Sequence, residues 1–124
     1  MSSLLIRFLS FQQQVRLYHW GTKSYARHVS SGKLYEGMDA LIDKFIETMQ
    51  GKLGKRQRIE YKNMTFTLSH MSDKDAPLLI HEFIQFLEND LNRFLNKVGD
   101  NDLKNIRDEM LSTLNQTLYL FSLE

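Results

Sequence analysis

The chain has 124 residues, 42% apolar and 25% charged, with a formal net charge of +1. That is one ordinary globular domain, with no general electrostatic pull toward nucleic acid or acidic membranes. The absence of cysteine excludes disulfides, thiolate metal sites, iron–sulfur clusters and cysteine nucleophiles. Any metal must be held by His, Asp and Glu, which suit iron, manganese or zinc.

No apolar run approaches the ~18 residues that span a bilayer. The opening "MSSLLIRFLSFQQQVRLYHW" is interrupted by Arg7 and reads as a first helix, not a signal peptide. Leu4, Phe8, Phe11, Val15 and Tyr18 recur at steps of 4, 3, 4 and 3, an amphipathic stripe. Ser2 or Ser3 is a candidate N-cap. The expected helix covers about 3–20, and Gly21–Thr22 breaks it. A second helix is expected over about 31–50, with Leu34, Met38, Leu41, Phe45 and Met49 inward and Gly51 and Gly54 as stops; either Ser30 or Ser31 caps it, or it begins near Ser24 and runs through Gly32. Residues 51–75 show no sustained helical period, and "RIEYKNMTFTL" alternates weakly enough to admit a small strand.

A third helix is expected over about 76–98, capped by Asp75 with Pro77 in its first turn. Its stripe is Ile80, Phe83, Ile84, Leu87, Leu91, Phe94 and Val98. "VGDND" separates it from a fourth helix over about 101–122, with Leu103, Ile106, Met110, Leu114 and Phe121 inward. Residues 1–124 thus read as a single all-α domain, a four-helix bundle. The long connection between helices 2 and 3 suits a ferritin-like arrangement, in which those two helices run parallel and need a crossover; a loose loop in an up-down bundle is the alternative.

Helix 2 places Asp39, Asp43 and Glu47 at i, i+4, i+8, on one face. Such a face is either solvated and paired with bases or holds a cation. His19 and His28 are nine residues apart, which on one helix would set them on opposite sides. They converge only if the chain turns at Gly21–Ser24. The bland alternative is a hydrogen-bonded pair of imidazoles at a helix corner.

"HW", a turn, a second His and "LYEGMDALIDKFIE" resemble the Dps mini-ferritins, the starvation DNA-protecting proteins. In that family a His-Trp pair ends the first helix and a second His opens the next. An Asp follows fifteen residues later and a Glu four beyond it. His19-Trp20, His28, Asp43 and Glu47 stand at those positions, with Asp39 at a weaker one. The resemblance implies a homo-oligomer binding ferrous iron, or another divalent cation, between subunits. One subunit supplies the histidines and its neighbour supplies the Asp and Glu. Trp20 would lie beside that site.

The departures from the pattern are specific. The gap between the histidines is three residues shorter, Gly21 replaces an Asn, and no lysine-rich tail is present. The Glu-x-x-His pairs of other ferritins are absent as well. The stretch from Gln12 to Gly54 also resembles small uncharacterised proteins of tailed phages and large DNA viruses, which share "HW", "TKSYARH", "LY" and a "D…E…GK" tail. That second resemblance implies a setting in host cytoplasm and no activity.

"GKLGKRQRIEYK" holds Lys52, Lys55, Arg56, Arg58 and Lys62, a basic run that either contacts nucleic-acid phosphates or is a solvated loop. His70 and His81 lack ligand-spaced partners. The sequence shows no Ser-His-Asp pattern and no carboxylate pair marked as acid and base. A structural module that binds a protein partner without metal chemistry is the rival expectation.

Overall fold

The computed structural model describes residues 2–56, 65–95 and 99–123. The described residues are helical with no strand. They form α1 (Ser2–Gly21), α2 (Tyr25–Leu53), α3 (Ala76–Gln85), α4 (Leu91–Phe94) and α5 (Asn101–Phe121). A π-helical turn, Phe86–Asp90, joins α3 to α4, so these pieces make one long third helix. The weakly alternating stretch lies partly outside the described residues. Its described part, 65–68, is neither helix nor strand.

The apolar stripes meet in one core. Leu4, Phe8, Phe11, Val15 and Tyr18 of α1 are all buried, as are Leu34, Met38, Phe45 and Met49 of α2. Ile42, not Leu41, is the fully buried residue in the middle of α2. Phe8 sits against the rings of Phe45, Phe83 and Phe86 at 5.6–6.0 Å. Phe11 stacks on Phe83 at 4.0 Å. Edge and offset ring pairs of this kind add to the burial they accompany.

Boundaries differ from the expected ones where local chemistry overrides the apolar pattern. α2 takes the earlier of its two expected starts, near Ser24 and six residues before 31, because Ser24 caps it: its side chain accepts from the Arg27 amide. It runs past Gly51 to Leu53 and stops at Gly54, whose φ of 68° is the left-handed conformation a helix end needs. Ser2 and Ser3 already lie inside α1. Asp75 occupies the cap position of α3 but its side chain makes no capping bond. Ser72 instead closes the turn leading into α3, its hydroxyl accepting from the Asp75 amide at 3.2 Å and its carbonyl from the Ala76 amide at 3.1 Å. The π turn uses one extra residue per turn. Both Phe86 and Leu87 therefore face inward, while Phe94 is left 46% exposed and Leu95 is buried. Val98 lies outside the described residues.

Pairs of touching residues give the directions. Phe8 meets Phe45 on α2 and Phe86 beyond α3, whereas Phe11 meets Phe83, so α3 runs opposite to α1. Arg16 pairs with Asp39 and His19 meets His28, so α2 also runs opposite to α1. Lys52 reaches Asp102, and Arg27 reaches the Phe121 carbonyl, so α5 runs opposite to α2. The second and third helices consequently point the same way. The chain between them must climb from one end of the bundle to the other.

Its described part climbs along α1. The Gln14 side-chain amide donates to the Ser69 carbonyl at 2.6 Å and accepts from the Ser69 amide at 3.1 Å, as a neighbouring strand would. One turn on, Tyr18 meets Asp73. Gln14, itself buried, is therefore what docks an otherwise strandless connection. Replacing it with Ala removes the protein partner of both Ser69 groups. Ser69 is exposed, so water takes over both groups, and Gln14→Ala is expected to lose only about 0.5–1.5 kcal/mol per lost bond in urea unfolding. It should also speed hydrogen exchange at the Ser69 amide, while amides in the middle of α5 keep their protection relative to global stability.

Candidate functional site

The corner between α1 and α2 is built by a tight joint. α1 ends at Gly21, and the Thr22 amide donates to the Tyr18 carbonyl at 2.9 Å. Ser24 then caps α2. This three-residue joint supplies the turn that His19 and His28 need. The two imidazoles stack, with centroids 3.9 Å apart and 17° between their planes. His19 Nδ1 donates to the His28 carbonyl at 2.7 Å, and His28 Nδ1 donates to the His19 carbonyl at 2.9 Å. A carbonyl only accepts, so the proton on each ring must be on Nδ1. In the neutral rings both Nε2 lone pairs are left over.

The surroundings hold His19 firmly. The Ser31 hydroxyl, fully buried, lies 3.1 Å from its Nδ1. The Tyr35 ring meets it edge-on at 5.2 Å. Gly32 lies beneath the ring: a Cβ there would come within 3.0 Å of His19 Cε1. His28 is exposed, and Trp20, 70% exposed, faces solvent at the end of the bundle.

The expected carboxylates are elsewhere. α2 is continuous from Tyr25 to Leu53, so fifteen residues separate His28 from Asp43 by about 22 Å along its axis. Asp43 and Glu47 are exposed on that outer stretch. Asp39 is spent within the chain, bonded to Arg16 and to the Gln12 amide at 3.0 Å. Among the described residues no group of three or more His, Asp or Glu converges. Nearly parallel stacked rings also present lone pairs that do not meet at one point, so the pair alone does not chelate one ion in this geometry. The four residues do not fit a single ion within one chain.

Beneath the histidines lies a network that the sequence pattern did not announce. Arg27 is buried, 8% exposed. Its guanidinium donates to Tyr18 Oη at 3.0 Å, to the Asp73 carbonyl at 2.7 Å and to the Phe121 carbonyl at 3.4 Å. It also lies 4.2 Å over the Phe121 ring. Tyr18 and Thr22 both donate to Asp73 Oδ1, at 2.7 and 2.6 Å. Those two bonds, Thr22 first, hold the Asp73 carboxyl below its ordinary range, with Arg27 assisting. Burial, then the bond to Asp73, pushes the Tyr18 phenol up to about 12. One signal was available: Arg27 and Ser31 continue the stripe of Leu34 and Met38 at steps of 4, 3 and 4. Polar residues standing at core positions mark a buried polar network.

The basic run is only partly in view. Lys52 is committed to the start of α5, bonded to Asp102 at 3.0 Å and to the Gly99 carbonyl. Lys55 and Arg56 are exposed, and Arg58 and Lys62 lie outside the described residues. No helix among the described residues is long and apolar enough to cross a membrane.

These features define an all-helical bundle protein with a stacked histidine pair over a buried arginine network. The chain belongs to a family of unknown function (DUF5856), whose pattern matches residues 19–121 and so begins at His19. No curated protein and no solved structure matches it.

Two outcomes are expected from this geometry. Gly→Ala at an exposed helical position gains about 1 kcal/mol. At Gly32 the new methyl meets a ring held by two bonds and a stack, so Gly32→Ala should instead destabilise and shift the His19 ring resonances. The second concerns pH. Tyr18 holds its proton in the fold above its unfolded value of 10.0. Its contribution is complete below about pH 10 and is lost as pH rises toward 12. Asp73 runs the other way: its contribution is complete above the ordinary carboxylate range and is lost as pH falls through its lowered value. Subtracting a Tyr18→Phe absorbance titration at the phenolate band from the wild type should isolate one phenol ionising near 12.

Proposed function

We propose that this is a ferritin-like bundle protein that assembles with copies of itself. In that assembly His19 and His28 of one copy would each give an Nε2 to one of two neighbouring divalent cations, held also by Asp43 and Glu47 of another copy, and the Dps resemblance favours iron. The observation that carries the reading is the anchoring of the two imidazoles. Histidines that hold metals almost always donate their other ring N–H to a carbonyl or carboxylate, which fixes the tautomer and orientation. Both His19 and His28 do so, and each keeps an Nε2 lone pair. The parallel second and third helices with a long crossover support the ferritin-like part. The phage and large-virus resemblance supports a cytoplasmic setting.

The rival reading, a helical interaction module without metal chemistry, rests on a different observation. The corner satisfies itself by stacking and reciprocal hydrogen bonds, and Asp39 is already paired with Arg16. Ferrous titration with peroxide, followed by ultraviolet absorbance of ferric product, separates the two. The metal reading expects oxidation above buffer. It should fall tenfold or more in both His28→Ala and Asp43→Asn, with a solution mass several times that of one chain. A monomer that oxidises no iron above buffer leaves the interaction module.

A further inference from the structure

At the end of the bundle opposite the histidines, the first turns of α1 and α5, the last turns of α2 and α4 enclose a pocket of about 110 Å³. Leu4, Phe45, Met49, Leu91 and Leu103 form its inner wall, none more than 6% exposed. Its polar lining is Lys52 and Asp100. The Lys52 ammonium is held by Asp102 at 3.0 Å and by the Gly99 carbonyl, with Asp100 at 3.8 Å. That ion pair straps the end of α2 to the start of α5 beside the pocket. Leu53 and Phe94, which also line it, are 44% and 46% exposed, so the rim is apolar too.

Volume and chemistry decide what fits. Sites for nucleotides or drug-sized ligands run to about 300–1,000 Å³, several times larger. Ordered water needs 2–4 polar partners, which the inner wall does not offer. Apolar cavities of about 150 Å³ stay dry and take up benzene or xenon. We propose that this pocket binds a hydrocarbon group of about benzene's size, either a small apolar molecule or the end of an alkyl chain leaving across Leu53 and Phe94.

Methionine methyl resonances test this in the whole chain. Met49 lines the pocket, whereas Met38 and Met110 are fully buried in the core and do not line it. Titration with benzene, and separately with n-octanol, is expected to move the Met49 methyl saturably and leave Met38 and Met110 in place. A response to both probes identifies a site for small molecules, and a response to n-octanol alone identifies a chain-end site. Leu4→Phe fills the space and should abolish the Met49 response while Met38 and Met110 keep their shifts. The proposal is overturned if Met49 does not move up to the solubility limit of either probe. It is equally overturned if the three methyls move together, or if a folded Leu4→Phe chain responds like the wild type. Should that variant not fold, the wild-type contrast between Met49 and the other two methyls decides.

Discussion

A guanidinium taken out of water has to recover most of its lost hydration from protein partners. Stripping a charge of its hydration costs several kcal/mol, recovered only with good geometry and several bonds. Arg27 draws those bonds from the end of α1, the end of the crossover and the end of α5. Each partner sits on a different stretch of chain. The arginine is therefore satisfied only when all of them are in register, which makes this end of the bundle cooperative. It also explains why the joint between α1 and α2 can be so short. Ser24 starts α2 where Arg27 falls one turn in, facing the core, and the next residue, His28, is left beside His19.

The helices were legible because burial follows an arithmetic period. Every stripe residue of α1 and α5 named from spacing is buried. The third helix was legible only as far as the period held. A π turn is a change of period without a proline or glycine to mark it, so the shift from Phe94 to Leu95 left no trace in the pattern. Gln14 was illegible for another reason, and Arg27 was marked only by its place on the inward stripe of α2. Their residue types are usually solvated, and only the partners supplied by distant segments, Ser69, Asp73 and Phe121, make them interior. The ordinary crossover residues around Ser69 likewise gave no hint that a side chain on α1 would serve as their ladder.

For the histidines, spacing posed the right question and the fold answered half of it. Nine residues force the two imidazoles apart unless the chain turns, and the turn is present. The reciprocal carbonyl bonds could not be read from sequence, because they depend on how far α1 and α2 approach each other, and Gly32 sets that approach for His19. Asp39 belongs to the same lesson. It shares a helical face with Asp43 and Glu47, but Arg16 and Gln12 on α1 reach only the first of the three.

What separates the histidines from the remaining carboxylates is the continuity of α2. A helix is a rigid spacer with a fixed rise, and no glycine or proline bends this one enough to interrupt it between Tyr25 and Leu53. No side-chain rotation closes about 22 Å, the rise over fifteen helical residues. A site that uses both His28 and Asp43 must accordingly bring the far half of another α2 to the histidine corner. Under the proposed assembly, the chain's charge distribution would favour such a contact. Residues 1–35 carry five Lys or Arg and no acid, so the remainder carries eleven bases against fifteen acids. Much of the basic share is internal: Arg16 pairs with Asp39, and Arg27 is buried. In the proposed assembly exposed Lys23 at the corner would face exposed Asp43 and Glu47. Attraction between such exposed charges is modest and screened by salt. It can orient two copies, but holding them would fall to apolar contact, and Trp20 and Tyr25, 70% and 80% exposed, are the large side chains at that corner with area to give.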